Sequence, residues 1–239
     1  MGHHPTIPGS LTLIRMATPL DLQEQEQLDQ IKHFWKTWGN LITSVLLVVA
    51  LAFAGWNGWQ YYQRNQAAQA AALYDTLERN VEAGDPATVE RTLGEMKDRF
   101  GSTPYAQQAG LLAAKALHDK GNAEGSRAAL AWVADKAVDP GYQAVARLRL
   151  AAELLDSKGY DEALKQLGAS FPKEYEPLVA DRKGDIYMAQ GKRDEARAEY
   201  QKAWTALEPR NDYRRMVEIK LNAVGVDTQS LKPAASKQS

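Results

Sequence analysis

Four histidines, two adjacent carboxylate pairs and no cysteine are the side chains from which this chain of 239 residues could build chemistry. His3 and His4 stand near the start, His33 sits among aromatic residues, and His118 is alone on a predicted helix that ends at Gly121. None of them forms an HExxH pair or another metal-ligating spacing, so no metal site is expected. Without cysteine there is no thiol nucleophile, disulfide, iron–sulfur cluster or Cys-ligated zinc. The sequence also lacks the GxSxG nucleophile elbow, the GxxxxGKS/T phosphate loop and the GxGxxG fingerprint. The pairs Asp161-Glu162 and Asp194-Glu195 open the second helices of predicted hairpins, where negative charge favours the positive end of the helix dipole. Capping accounts for them better than acid–base work. No reaction and no cofactor are expected, and what remains is binding.

The elements that would position a binding surface begin with an apolar one. The 27 residues between Lys36 and Arg64 carry no charge, and their centre, residues 41–59, reads LITSVLLVVALAFAGWNGW. As a helix this centre spans about 28 Å, close to the hydrocarbon thickness of about 30 Å. Trp35 and Trp38 precede it and Trp56 and Trp59 close it, with Phe34, Tyr61 and Tyr62 alongside, as aromatic belts do at two headgroup levels. A lipid bilayer is therefore an expected partner. Lys32 and Lys36 on the N-terminal side against Arg64 on the other favour a cytoplasmic N-terminus. Within the span Ala50, Ala54 and Gly58 recur every four residues, a stripe that would let a second membrane helix approach closely. Overall, 29 basic residues balance 30 acidic ones, so there is no basic field of the kind that binds nucleic acid.

Five segments follow: residues 1–15 read as a non-native or mis-assigned extension without periodicity, 16–40 as a cytoplasmic tail, 41–59 as the membrane helix, 60–225 as a helical-repeat domain and 226–239 as a disordered tail. In the tail Leu28, Ile31, Trp35 and Trp38 share one helix face. Beyond the span, a stretch rich in Ala, Gln and Leu predicts that the membrane helix continues into the repeat domain. Helices then alternate with Gly- and Pro-containing breaks, and no period-two alternation argues for a sheet. The fold class is all-α.

Two stretches repeat each other when Gly159 is aligned with Gly191, 32 residues on, close to the tetratricopeptide period of about 34. In the second, Gly184, Tyr187, Gly191, Ala196, Tyr200 and Ala203 fall where that repeat places small and aromatic packing residues. Ala152, Leu155, Gly159, Ala163 and Leu167 form a poorer unit, and Ala114, Leu117 and Gly121 a degenerate one. Stacked hairpins of this kind make a right-handed α-solenoid that presents the first helix of each hairpin on a concave face. The frame puts Arg149, Glu153 and Asp156, then Asp181, Asp185 and Met188, on that face, joined by Lys115 and His118. These are the expected protein-binding residues.

The order of parts, with TPYAQQAGLLAAKAL, AVARLRLA and VADRKGDIYMAQGKRDEAR ending in MVEIKLNAVG, resembles the YfgM family of ancillary subunits of the bacterial SecYEG translocon. The resemblance covers residues 16–225. It implies a single-pass inner-membrane protein of type II with a periplasmic repeat domain, partnered by SecYEG and by the membrane-anchored periplasmic chaperone PpiD. It also implies a part in passing secreted proteins to periplasmic chaperones. The family has no catalytic motif to transfer. The alternative reading of the same features is a membrane-anchored scaffold for cell-envelope or division complexes.

Overall fold

A computed structural model describes residues 22–228, with side chains from residue 26 onward. The expected extension over 1–15, residues 16–21 of the expected cytoplasmic tail and all but the first three residues of the expected disordered tail lie outside them. The described chain is helical throughout, and it divides between Tyr61 and Tyr62 into two units.

Helix α1, Leu22–Ala83, runs unbroken through the uncharged band and beyond it, as the Ala, Gln and Leu content predicts. In the first unit Val45, Leu46, Leu47, Val48, Val49, Leu51 and Phe53 are all exposed. Among the described residues one helix, α1, is long and apolar enough to cross a membrane, and only 6% of its apolar window is buried. Water is a poor solvent for such a surface, and hydrocarbon is the matching one. Two polar side chains in the band are satisfied within the helix, as hydrocarbon favours. The Thr43 hydroxyl donates to the Gly39 carbonyl at 2.7 Å, and the Asn57 amide to that of Phe53 at 2.8 Å. Ala50, Ala54 and Gly58 are exposed, with no described residue packed on them.

The second unit is a series of hairpins. The last part of α1 meets α2, Pro86–Phe100, through a shared apolar cluster and the Asn80 amide that donates to the Thr92 hydroxyl; α3, Pro104–Asp119, pairs with α4, Ala123–Lys136; α5, Pro140–Asp156, with the short α6, Tyr160–Gln166; and α7, Glu176–Ala189, with α8, Arg193–Ala206. Helix α9, Asp212–Ala223, closes the series. Pro86, Pro104 and Pro140 each open a helix, where the missing N–H costs nothing, behind Asp85, Thr103 and Asp139, whose side chains accept a free N–H of the first turn.

First helices stop by one device. Gly121, Lys158, Gly191 and Gly225 take positive φ, and the next residue's N–H bonds back five residues: Asn122 to Leu117, Gly159 to Leu154, Lys192 to Tyr187 and Val226 to Leu221, at 2.8–3.0 Å. Gly84 stands at the same point of the first hairpin. These positions lie 37, 37, 33 and 34 residues apart, and they correct the expected register. The counterpart of Gly191 is Lys158 rather than Gly159. A further hairpin, α1 with α2, precedes those expected. The packed domain also passes Gly225, since Val226 joins the last apolar cluster and Thr228 is buried.

Small residues bring paired helices together. A methyl group on Gly184 would lie 2.4 Å from Tyr200 Cε1, and one on Gly110 2.4 Å from Val133 Cγ2. The apolar clusters between the helices are correspondingly rich in alanine.

Candidate functional site

Helices α3 and α5 open successive hairpins, and between their outward faces lies a groove of about 360 Å³. Its floor is Ala114, Leu130 and Ala152, and its walls carry Lys115, His118, Arg149, Glu153 and Asp156. The structure thus brings together the five candidates drawn from these two helices.

Glu153 is the best-held of them. Its Oε1 lies 3.3 Å from His118 Nδ1 and within hydrogen-bond reach of the Ser126 hydroxyl. Ser126 is wholly buried, and its oxygen also stands 2.8 Å from the Ala114 carbonyl. One hydroxyl proton therefore serves two acceptors, and Glu153 Oε2 is buried with no partner at all. Ser126 ties α4 to both groove helices. Residues equivalent to it, five after the positive-φ position, are Ala163 and Ala196, so nothing in the repeat pattern marks a hydroxyl here.

Along the rim, Lys115 is engaged by Asp119, and this hydrogen bond is the main cause that holds the Asp119 carboxyl below the usual range. Arg149 and Asp156 are exposed and make no hydrogen bond or ion pair with described residues. The groove offers a free guanidinium, a free carboxylate and an undersatisfied buried carboxylate above a small apolar floor. Such a set can orient a bound polypeptide. The hydroxyl that stands beside a carboxylate here, that of Ser126, is wholly buried and out of a substrate's reach, and no group of three His, Cys, Asp or Glu among the described residues could hold a metal ion.

The other three candidates are elsewhere. Asp181 is 1% exposed; it accepts from Tyr213 Oη at 2.6 Å and from Lys220 Nζ at 2.7 Å. Asp185 accepts from Tyr200 Oη and Lys220 Nζ, each at 2.9 Å, with Arg182 3.5 Å away. Met188 is half-buried against the last apolar cluster. Burial first, and then the two carboxylates, push the Tyr200 and Tyr213 hydroxyls to high pKa. Helix α9 therefore lies where the frame expected a partner, and Asp181 has no surface left to offer one. Tyr213 and Lys220 were missed by sequence reasoning. The available signal was their spacing of two helical turns, matching two carboxylates one turn apart a repeat earlier.

Comparison with known proteins places the chain. A family model described as a tetratricopeptide repeat-like domain matches residues 32–226. A protein of Neisseria gonorrhoeae named ancillary SecYEG translocon subunit is 31% identical over 204 residues, covering 85% of this chain and 98% of that protein. This chain belongs to the family of ancillary SecYEG translocon subunits. Relatives of the same name from Haemophilus influenzae and Escherichia coli are 27% and 25% identical, over 84% and 85% of this chain and 97% of each of theirs. Their name is that of a subunit of a translocation assembly, and the fold is one of protein–protein contact rather than of a known enzyme class.

Proposed function

We propose that this chain is a type II inner-membrane subunit of the SecYEG translocon, with residues 16–40 in the cytoplasm, 41–59 in the bilayer and the hairpins in the periplasm. Its groove between α3 and α5 binds a segment of a membrane-anchored periplasmic chaperone of the PpiD kind, and the pair receives secreted proteins at the channel exit. The observation that carries the reading is an uncommitted groove, with Arg149 and Asp156 unpaired, in a chain related over its length to translocon subunits. Anchoring supplies the mechanism. A domain tethered beside the channel meets emerging chains at high effective concentration, so weak contacts suffice. Orientation follows from Lys32 and Lys36 against Arg64.

The test is affinity purification of the full-length protein from mild-detergent membrane extracts, with Arg149→Glu/Asp156→Lys and Ala54→Ile variants alongside. Recovery of SecYEG with the anchored chaperone, and loss of the chaperone in the groove variant, is the expected result. Loss of translocon components in Ala54→Ile would place that contact on the stripe of Ala50, Ala54 and Gly58. Recovery of envelope-assembly proteins without the translocon would overturn the proposal. A reporter fused after Ser239 that is active only in the cytoplasm would overturn the orientation.

A further inference from the structure

The repeat register makes α9 the first helix of a fifth hairpin, and it leaves that helix with an open face. Gly225 corresponds to Gly191, so Arg215, Met216 and Ile219 stand where α7 has Asp181, Arg182 and Asp185. On α7 that face is covered by a helix, and the covering helix brings Tyr213 and Lys220 to meet two carboxylates. On α9 the same face has no described residue against it, and its character is inverted. Met216 is 53% and Ile219 61% exposed, large apolar side chains at helical spacing. Beside them a groove of about 740 Å³ runs between α8 and α9, and Arg210, Arg214 and Arg215 line it.

None of these three arginines has an ion pair among the described residues. Arg214 is held flat on Trp204, its guanidinium carbon 3.9 Å from the ring centroid, and its Nε is buried without a partner. Asp212 and Glu218 share the groove, but Glu218 already accepts the Thr228 hydroxyl at 2.6 Å. A guanidinium held on an aromatic ring, flanked by two exposed ones without an ion pair, is suited to carboxylates.

We infer that the open face of α9 docks an acidic amphipathic helix of a partner protein. The helix adds one more layer to the stack, its apolar side over Met216 and Ile219 and its carboxylates on Arg210, Arg214 and Arg215. The surface is separate from the α3–α5 groove, so the two readings fail separately.

The absence of cysteine allows a direct test in the full-length chain. Ile219→Cys, labelled with a benzophenone maleimide in native membranes and irradiated, is expected to crosslink to a protein segment that carries several carboxylates at helical spacing with apolar residues between. Adding Arg210→Glu and Arg215→Glu should lower the yield about tenfold, while Arg215→Lys should not. Exchanging the partner's carboxylates for lysines should restore it against the charge-reversed chain. The inference is overturned by a yield no higher than from Ala198→Cys on α8, by adducts to lipid or to a second copy of this chain, or by indifference to the reversals. The altered side chains are exposed, and an unchanged unfolding midpoint shows that the fold survives them.

Discussion

Arg149 on α5 and Arg182 on α7 occupy one repeat position, nine residues before Lys158 and Gly191, yet they lead different lives. Arg149 is exposed and unpaired, whereas Arg182 is half-buried beside Asp185. The surroundings differ in the same way. Around Arg149 the face is a groove with an apolar floor, and around Arg182 it is a charge cluster closed by Lys220 and Tyr213. A repeat position sets which way a side chain points. Whether that side chain is available to a partner depends on what the following helix lays over it. The groove is open because no helix among the described residues is set there to neutralise it, and the cluster is closed because α9 is.

The comparison breaks first at Asp181. Replacing it with alanine strips Lys220 of one of its two carboxylates and leaves the half-buried Tyr213 hydroxyl without its acceptor. Breaking a buried charge pair from one side costs about 3–5 kcal/mol, and the remaining Asp185 contact puts Asp181→Ala near the lower end of that range. Arg149→Ala, by contrast, should change stability by no more than about 0.5 kcal/mol. Denaturant unfolding of the full-length protein in detergent measures both. Equal costs would mean that the groove is a structural ion network like the cluster.

Next in size are the close approaches that the two regions share. Gly110→Ala and Gly184→Ala each push a methyl group to 2.4 Å from a neighbouring side chain, Val133 in one case and Tyr200 in the other. Overpacking of this kind costs about 1–3 kcal/mol. Gly184→Ala should also loosen the cluster, because Tyr200 is the hydrogen-bond donor to Asp185. Lower thermal midpoints for both are expected, with α9 losing hydrogen-exchange protection only in Gly184→Ala.

Much of this architecture can be read from residue types acting locally. Capped prolines start helices, glycines stop them, and an uncharged band between tryptophans marks the apolar helix. The groove was legible to the extent that it depends on helical spacing within α3 and α5. What escaped depends on contacts between residues far apart in sequence. Ser126 meets Glu153 across 27 residues and Lys220 meets Asp181 across 39, and neither pair breaks a local pattern. The first hairpin was hidden for another reason: its leading helix is the end of α1 and has no start signal of its own.

Alkaline titration distinguishes the two regions more gently. Tyr213 has a raised folded-state pKa, caused by burial and then by Asp181. A group raised in the folded state contributes stability that is complete below its unfolded pKa of about 10 and declines as pH rises above it. Wild-type stability should therefore fall above about pH 10, and Tyr213→Phe should make that fall shallower by as much as about 1.4 kcal/mol per pH unit. At neutral pH the same variant should cost about 1.5 kcal/mol for the lost hydrogen bond to a charged group. Identical alkaline slopes in wild type and variant would remove Tyr213 from the cluster's energetics.

The smallest effect tests the repeat frame on which the comparison stands. Lys158 holds φ at 63°, the left-handed region that Gly121, Gly191 and Gly225 occupy at the equivalent stops. The back-bond that follows is unchanged, Gly159 N–H to the Leu154 carbonyl at 2.8 Å, so the stop forms in spite of the side chain. A side chain in this conformation costs about 1–2 kcal/mol, and glycine returns about 0.5–1 kcal/mol of that as extra freedom in the unfolded chain. Lys158→Gly should thus stabilise the protein by about 0.5 kcal/mol. At Gly191 an added methyl group meets no atom within 4 Å, so Gly191→Ala isolates the backbone cost and should destabilise by a similar or slightly larger amount. The competing register, with Gly159 as the counterpart of Gly191, predicts otherwise: Lys158→Gly would be neutral or harmful, and Gly159→Ala would carry the backbone penalty. The two signs at one position therefore decide which residue of the Lys158-Gly159 pair closes α5, and with it which side chains of α5 face the groove.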